Sequence, residues 1–272
     1  MVRFWLFALL ALPLWASDIE WTLRALLDRQ TFDKNRSFIV GGLFRNPQLY
    51  YDEYGVDYPK ILTKLKENGL LKLTTQSPRA FRIHIQANDA PIFVTRSVQN
   101  ALKALGYYYA TPVQAEFVDG NYRLVMLMNA ESALDPVSFI NEIRKYGYRV
   151  SEIARENDTS WRYVIALQYP KLPEAIPLEY DVEVSNGNLQ GEYWYAINRQ
   201  GGILQFAPID GGAISPKVAL YDASLRLIGS QSLQKSGGVY RLKLDTDVVF
   251  VRLSDEHSPA AIKTGIRTVL QQ

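Results

Sequence analysis

Residues 101–128 read ALKALGYYYATPVQAEFVDGNYRLVMLM, and this stretch contains the pattern that decides the fold. Leu102 continues a helical apolar face that starts at Val94, and Gly106 ends the helix because glycine accepts a left-handed backbone. Two alternating runs separated by Asp119-Gly120 then predict a β-hairpin. The stretch therefore predicts the order helix, glycine, strand, turn, strand.

The same order occurs before and after this stretch. A helix with Pro59 in its first turn ends at Asn68-Gly69, and LLKL, TTQSP and FRIHIQ follow it as strand, turn and strand. Another helix ends at Gly147, and YRVSEIA and WRYVIAL follow it as a hairpin. This repetition predicts three αββ units over residues 57–168. From FRIHIQ onward the order is β-α-β-β-α-β, a ferredoxin-like arrangement with WRYVIAL as an added strand.

The first sixteen residues, MVRFWLFALLALPLWA, have the form of a secretory signal peptide. Arg3 precedes an apolar run from Phe4 to Leu14. That run is too short to span a bilayer as a helix, which needs about 20 residues. We expect export to the periplasm or beyond, with cleavage near Ala16 and no integral membrane span in the mature chain. An uncleaved anchor is the alternative.

Composition excludes several classes of function. The chain has no cysteine, which excludes lipoprotein processing, disulfides, thiolate zinc sites and cysteine nucleophiles. Its formal charge is +2, and removal of the signal peptide, with its single Arg3, lowers this to +1. A nearly neutral chain has no electrostatic footprint for nucleic acid or anionic lipid. We therefore expect no nucleic-acid partner.

Residues 17–56 are predicted to form an N-terminal helix followed by a tyrosine-rich loop. Ser17-Asp18-Ile19-Glu20 matches a capping box, and the helix is predicted to run to about Arg29. Its apolar face comprises Ile19, Leu23, Leu26 and Leu27.

The last third has a different character. Three prolines in residues 169–178 predict a linker. Residues 179–272 then contain short alternating runs separated by glycine turns, which predict an antiparallel β-sandwich. The runs are EYDVEV, GEYWYAI, ILQFAPI, KVALYD, LRLIGSQSL, VYRLKL and VVFVRL, and the tail around Ile266 predicts a final amphipathic helix or an edge strand. The expected fold class is α+β.

Two stretches resemble known cell-envelope modules. Residues 101–128 resemble the helix, Gly-Tyr and hairpin of POTRA modules, although that family has two helices per unit. DPVSFINEIRKYGYRVSEI is similar to the helix, Gly-Tyr and strand of SPOR domains. POTRA modules bind client proteins and partner subunits, and SPOR domains bind peptidoglycan. The resemblance therefore implies an envelope protein or peptidoglycan as the partner.

Two further resemblances concern other parts of the chain. Residues 191–230, GEYWYAINRQGGILQFAPIDGGAISPKVALYDASLRLIGS, are similar to the pre-peptidase C-terminal sandwich modules of secreted bacterial enzymes, which assist folding, targeting or substrate contact. DEYGVDYPKILTKLKENGLLKL resembles periplasmic proteins of ε-proteobacteria, some of them linked to flagellar motility. The second resemblance implies a motility-associated role.

Two groups of tyrosines are the candidate binding residues. Gly106-Tyr107 corresponds to Gly147-Tyr148, so we interpret Tyr107 as a structural contact at the helix end. In a strand, Tyr108 and Tyr109 point to opposite sides, which leaves one ring exposed for binding. The second group is Tyr51, Tyr54 and Tyr58, in the stretch LYYDEYGVDYPK.

The same stretch supplies the candidate carboxylates Asp52, Glu53 and Asp57. Glycan hydrolysis needs only Asp and Glu, and aromatic rings beside acids often line sugar clefts. The alternative is a loop that covers one side of the first domain and uses its tyrosine rings for packing. Asp210 is a further candidate carboxylate in the C-terminal domain.

The two histidines give little support for catalysis. His84 lies on the polar side of FRIHIQ, so strand alternation predicts that it faces solvent. His257 neighbours Asp255 and Glu256, but adjacent residues rarely share one ion. No HExxH, GxSxG or P-loop motif is present. We predict a non-catalytic binding protein without metal or cofactor, with a glycan-binding or glycan-hydrolysing protein as the alternative.

Overall fold

A computed structural model describes residues 15–188, 190–197, 201–234 and 238–272. Most of the predicted signal peptide, residues 1–14, lies outside this range. The described chain is a mixed α/β structure with several sheets, few helices and mostly strands. The α-helices are α1 (Trp15–Leu26), α2 (Arg29–Arg36), α3 (Tyr58–Glu67), α4 (Pro91–Ala104) and α5 (Pro136–Arg144).

The strands follow in chain order. The first seven are β1 (Tyr51–Asp52), β2 (Gly55–Val56), β3 (Thr74–Ala87), β4 (Thr111–Val118), β5 (Asn121–Ser132), β6 (Tyr148–Asn157) and β7 (Ser160–Leu167). The others are β8 (Ile176–Leu178), β9 (Glu183–Asn186), β10 (Glu192–Ile197), β11 (Gly202–Pro208), β12 (Pro216–Tyr221), β13 (Leu227–Ser232), β14 (Tyr240–Leu244), β15 (Phe250–Asp255) and β16 (Ile266–Gln271).

The N-terminal segment differs from its prediction. Ser17 lies inside α1, so it does not cap the helix, and the predicted capping box is wrong. The chain then forms α2, whose N-cap residue Asp28 accepts a hydrogen bond from the Thr31 amide at 2.8 Å. A π-helix over Ser37–Leu43 and a 3-10 turn over Pro47–Tyr50 replace much of the predicted loop.

The helix ends at Gly69 and Gly106 have the predicted geometry. Both glycines have positive φ, at 67° and 90°. At each site the glycine amide and the next amide bond to carbonyls of the last turn: Gly106 N to Lys103 O at 3.0 Å, and Tyr107 N to Leu102 O at 2.9 Å. This is the Schellman motif, which satisfies carbonyls that the helix leaves unpaired.

The first predicted hairpin is absent. LLKL, residues 70–73, lies outside any strand, and TTQSP is part of the single strand β3. The pairing register with β5 shifts between Thr74 and Arg79, so the predicted turn is a bulged part of one strand. Local turn propensity at Pro78 yields here to pairing with β5.

One five-stranded sheet has the order β4-β5-β3-β7-β6. The hairpin β4–β5 turns at Asp119 and Gly120, both with positive φ, as the Asp-Gly pair predicted. β7 lies between β3 and β6 and runs parallel to β3. The strand predicted as an addition is thus central, because its side chains Trp161, Tyr163 and Ile165 are fully buried.

The apolar side of this sheet comes from alternate residues. Phe81, Ile83 and Ile85 of β3 are buried, and so are Leu124 and Met126 of β5. A helix covers part of this side, since the Phe139 ring of α5 contacts the Tyr163 ring at 4.9 Å in an edge-to-face arrangement.

The C-terminal region contains two further sheets. One has the order β13-β12-β15-β10-β8 and the other β14-β11-β16-β9. Buried residues of both sheets form one core cluster, including Tyr193 and Leu253 of the first and Phe206 and Leu270 of the second. Each of the seven runs predicted to be strands overlaps one, although the run EYDVEV shares only Glu183 and Val184 with β9.

Two predictions in this region need correction. Ile176–Leu178, in the predicted linker, is the edge strand β8, which pairs in parallel with β10. Its residue Leu178 is fully buried, so this part of the linker belongs to the core. The tail contains the strand β16, which lies between β11 and β9, so it is neither a helix nor an edge strand. Ile266 and Leu270 are fully buried in the core cluster, which explains this central position.

The chain divides into two compact units, and neither is continuous in sequence. The first comprises residues up to Ala87, Leu102–Asn141 and Arg149–Ala166. The second comprises Asn88–Ala101, Glu142–Tyr148 and Leu167–Gln272. Residues 88–101 and 142–148, which the sequence assigned to αββ units, thus belong to the second unit.

An arginine on α4 shows why the second unit includes part of that helix. The Arg96 guanidinium lies 4.0 Å from the Trp194 ring centroid, and its Nε donates to Glu174 at 2.9 Å. Asn100, one helical turn later, also donates to Glu174, at 3.0 Å. These partners come from the predicted linker and from β10, which are distant from α4 in sequence.

Candidate functional site

Tyr107 has the structural role that the sequence predicted. It follows the helix-ending Gly106, and its amide bonds to the last turn of α4. Its ring is half-buried. Burial is the main cause that raises the pKa of its hydroxyl, against the opposing effect of a hydrogen bond with Ser132.

Tyr108 and Tyr109 are both exposed, which corrects the prediction of one ring on each side of a strand. Their side chains are 70% and 95% exposed, respectively. The two residues lie in a turn before β4, and the Ala110 amide bonds back to the Tyr107 carbonyl at 3.3 Å. Strand alternation does not apply in a turn, so neither ring is directed into a core.

β4 follows these tyrosines and forms one edge of the five-stranded sheet. It pairs with β5 on one side, and no strand of the described chain pairs with its other side. The side chains of Thr111–Phe117 are all exposed, including Val113 at 52% and Phe117 at 59%. The Phe117 ring contacts Tyr122 of β5 at 5.6 Å and is otherwise open.

The pairing register shows which backbone groups of β4 are free. Val118 and Asn121 flank the two-residue turn, so they form a hydrogen-bonded pair, and the pairs alternate from there. Ala115 and Phe117 are therefore at non-hydrogen-bonded positions, and their N–H and C=O groups point away from β5. This edge can accept a further strand.

The tyrosine-rich stretch is a small hairpin of β1 and β2. Asp52 Oδ1 accepts from the Tyr54 amide at 2.8 Å and from Arg149 Nη2 at 2.7 Å. Arg149 Nη1 donates to the Tyr54 carbonyl at 2.8 Å, and the guanidinium lies 4.9 Å from the Tyr54 ring centroid. Arg149, on β6, thus holds the hairpin by charge, hydrogen bonds and a cation–π contact.

The candidate tyrosines of this stretch differ in accessibility. Tyr54 is exposed, Tyr51 is half-buried, and Tyr58 is buried at the start of α3. Of the three, Tyr54 alone has a ring that is exposed to solvent. Its hydrogen bond with Glu53 is the main cause that raises the pKa of its hydroxyl.

The candidate carboxylates each have a structural contact. Asp52 bonds to Arg149, as described, and Asp57 caps α3 by accepting from the Lys60 amide at 3.2 Å. Glu53 is exposed and bonds to the Tyr54 hydroxyl. Asp210 accepts from the Gly212 amide at 2.9 Å, which is the main cause that lowers its pKa, and from the Thr264 hydroxyl.

The two histidines lie in separate polar settings. His84 Nε2 lies 3.7 Å from Glu156 on the polar side of β3. Near His257, Asp255 accepts backbone hydrogen bonds from Ser215, His257 and Ser258 at 2.7 to 2.9 Å. Burial of Asp255 opposes ionisation, but these bonds outweigh it and lower its pKa. In the part of the chain that the structure describes, no three His, Cys, Asp or Glu side chains form a group that would hold a metal ion.

The open edge at β4 was not predicted from the sequence. The alternation in VQAEFV predicted one buried face, but the side chains of β4 are exposed on both faces of the sheet. Pro112 was the available signal, because proline inside a run indicates an edge strand. No sequence signal indicated that Arg149 holds the β1–β2 hairpin, since its partners Asp52 and Tyr54 lie far away in sequence.

No protein-family model matches the chain, and no curated protein matches it significantly. Among the described residues, no helix has the length and apolar character needed to cross a membrane.

Proposed function

We propose that this chain is an exported, non-catalytic cell-envelope protein that binds an extended segment of a partner protein along β4. The observation that carries this proposal is the open edge of β4, with Ala115 and Phe117 presenting free backbone groups. A partner strand that adds to a sheet edge gains affinity from main-chain hydrogen bonds. Export and residence in the periplasm or outside the cell belong to the same proposal and depend on the signal-like residues 1–16.

The side chains around this edge support a protein occupant. Val113 and Phe117 offer apolar contacts along the strand, and Tyr108 and Tyr109 stand exposed just before it. Exposed apolar edge strands invite unwanted pairing unless something covers them. A partner segment would cover this one, and tyrosine rings supply large contact area at low entropic cost.

The resemblances are consistent with this proposal. The POTRA-like stretch ends in the hairpin that contains β4, and modules of that family bind client proteins and partner subunits. In this proposal, residues 179–272 form the β-sandwich that the sequence predicts and support a binding function as an appended module. Peptidoglycan as the ligand is a separate outcome of the test below.

The test is in-cell photo-crosslinking from the β4 edge. A photoreactive residue at Phe117 is expected to capture one protein in stoichiometric amount. The same residue at Ser151, on the opposite edge strand β6, is the matched control and is expected to capture none of it. Capture of peptidoglycan fragments in place of a protein, or equal capture from both positions, contradicts the proposal.

A backbone substitution sharpens the result. Ala115→Pro removes an outward N–H without removing a bond to β5, so it is expected to abolish capture while the protein stays folded. Ala115→Thr keeps the N–H and is expected to retain capture. Release of reducing sugars from envelope glycans that is lost on Glu53→Gln or Asp57→Asn would instead establish an enzyme.

A further inference from the structure

A buried arginine in the first unit lacks one of its hydrogen-bond acceptors. The side chain of Arg155, at the end of β6, is 7% exposed. Its Nε donates to the Asn157 carbonyl at 3.4 Å, and its Nη2 donates to Asp158 Oδ1 at 3.1 Å. Its buried Nη1 has no acceptor among the described residues. A buried donor without a partner is costly, and more so when it is charged, so an acceptor from outside the chain is expected here.

A second buried donor lies beside it. Trp161 is buried, and its Nε1 also has no acceptor in the described part of the chain. The Arg155 guanidinium carbon is 5.8 Å from the Trp161 ring centroid. An acceptor oxygen from outside the chain would satisfy the Arg155 donor, and the Trp161 ring lies close enough to report on it.

Arg155 lines a cavity of about 550 Å³ with an excess of positive charge. The charged side chains in its wall are Asp28, Arg29, Lys72, Arg79, Arg155 and Asp158. Lys72 and Arg79 form no ion pair with any residue that the structure describes, so their charges are available to a ligand. The N-terminus of α2 also opens here, since Asp28 and Arg29 are its N-cap and first residue.

The two acids in the wall are already engaged by the protein. Asp28 accepts from the Thr31 amide, and Asp158 from Arg155. Burial opposes the ionisation of Asp28, but Thr31, Arg155 and Lys72 outweigh it and lower its pKa. Asp158 pairs with Arg155, and Asp28 partly offsets Arg155 and Lys72. The wall still holds four cationic side chains against two carboxylates, so an excess of positive charge remains.

We propose that this cavity binds an oxyanion, the phosphate or carboxylate group of a ligand, which accepts a hydrogen bond from Arg155 Nη1 and is neutralised by Lys72 and Arg79. Guanidinium groups suit such oxygens because their planar donors match the geometry of both groups. The site goes beyond the proposed docking edge, since none of these residues belongs to β4.

Calorimetric titration of the purified protein with inorganic phosphate, and separately with succinate, tests this site. We expect saturable binding of at least one of the two, and the stronger one identifies the phosphate or the carboxylate class. The double substitution Lys72→Gln with Arg79→Gln is expected to weaken that binding by about tenfold or more, since it removes two charges at exposed positions. Lys103→Gln, an exposed lysine outside the cavity, is the matched control and is expected to leave binding unchanged.

A second measurement uses Trp161, whose ring centroid lies 5.8 Å from the Arg155 guanidinium carbon, as a reporter of the cavity. The indole N–H resonance of Trp161, assigned with Trp161→Phe, is expected to shift with saturation as phosphate or succinate is added. Sodium chloride at matched ionic strength is expected to leave it in place. Absence of saturable binding by both probes, or binding that the Lys72 and Arg79 double variant retains in full, overturns the proposal.

Discussion

Replacement of Gly147 by alanine is expected to destabilise the protein more than the same replacement at the other helix-ending glycines, Gly69 and Gly106. Gly147 has φ of 85°, a left-handed backbone that costs a residue with a Cβ about 1–2 kcal/mol. A Cβ at this position would also overlap the Tyr169 carbonyl oxygen, so the backbone must move. Gly106 has a similar φ of 90°, but a Cβ there meets nothing within 4 Å.

The two glycines lie in different compact units, and their main local difference is the steric overlap at Gly147. Gly106→Ala is expected to lower the free energy of unfolding by about 1–2 kcal/mol. Gly147→Ala adds an overpacking cost of about 1–3 kcal/mol, for a total near 3 kcal/mol. The displaced segment also carries backbone bonds from Gln168 to the Gly147 carbonyl and from Lys171 to the Tyr146 carbonyl, at 2.9 and 3.2 Å, which the movement weakens.

Urea unfolding measures both variants, followed by circular dichroism and by tryptophan fluorescence because the chain has two compact units. Gly69→Ala is a further control, since its φ of 67° is also positive and its surroundings are open. Equal losses of unfolding free energy for Gly147→Ala and Gly106→Ala would refute the steric reasoning. The cost at all three glycines would then come from backbone conformation alone.

Two other predictions concern charged groups of the second unit. Arg96→Met is expected to lower the free energy of unfolding by about 1–2 kcal/mol, because it removes the contacts with Trp194 and Glu174. Arg96→Lys should restore less than half of that in the same urea assay, since lysine lacks the planar donors; full restoration would contradict this. The lowered pKa of Asp255 predicts that its stabilising effect relative to Asp255→Asn is complete above about pH 5 and declines as pH falls below about pH 4. A difference independent of pH, measured by unfolding at several pH values, would show that its ionised form contributes nothing.

Much of the secondary structure could be predicted because its causes are local. Gly69 and Gly106 end helices wherever those helices lie, since the left-handed residue and its two backbone bonds involve only neighbouring residues. The turn at Asp119-Gly120 is equally local. The predictions at Ser17 and at residues 70–78 were wrong because a longer helix and a longer strand overrode short-range signals.

The candidate sites depended on contacts that no short segment contains. Tyr108 and Tyr109 were predicted as a strand pair, but the turn before β4 exposes both. Asp52 was a candidate carboxylate in the sequence, and only the fold shows that it binds Arg149, 97 residues away. Arg155 drew no attention in the sequence, since its missing acceptor becomes apparent only when the side chain is buried.

The sequence by itself determined the strand-rich composition, the helix ends at Gly69 and Gly106 and the hairpin turn at Asp119-Gly120, because dihedral preferences and apolar periodicity act within a few residues. Only the tertiary structure decided that β7 takes a central place in its sheet, that β4 stays open, and that part of α4 belongs with the C-terminal strands. These outcomes follow from competition for burial among distant segments. The completely buried Trp161 and Tyr163 occupy the interior, and the strand that contains Pro112 and Glu116 remains at the edge.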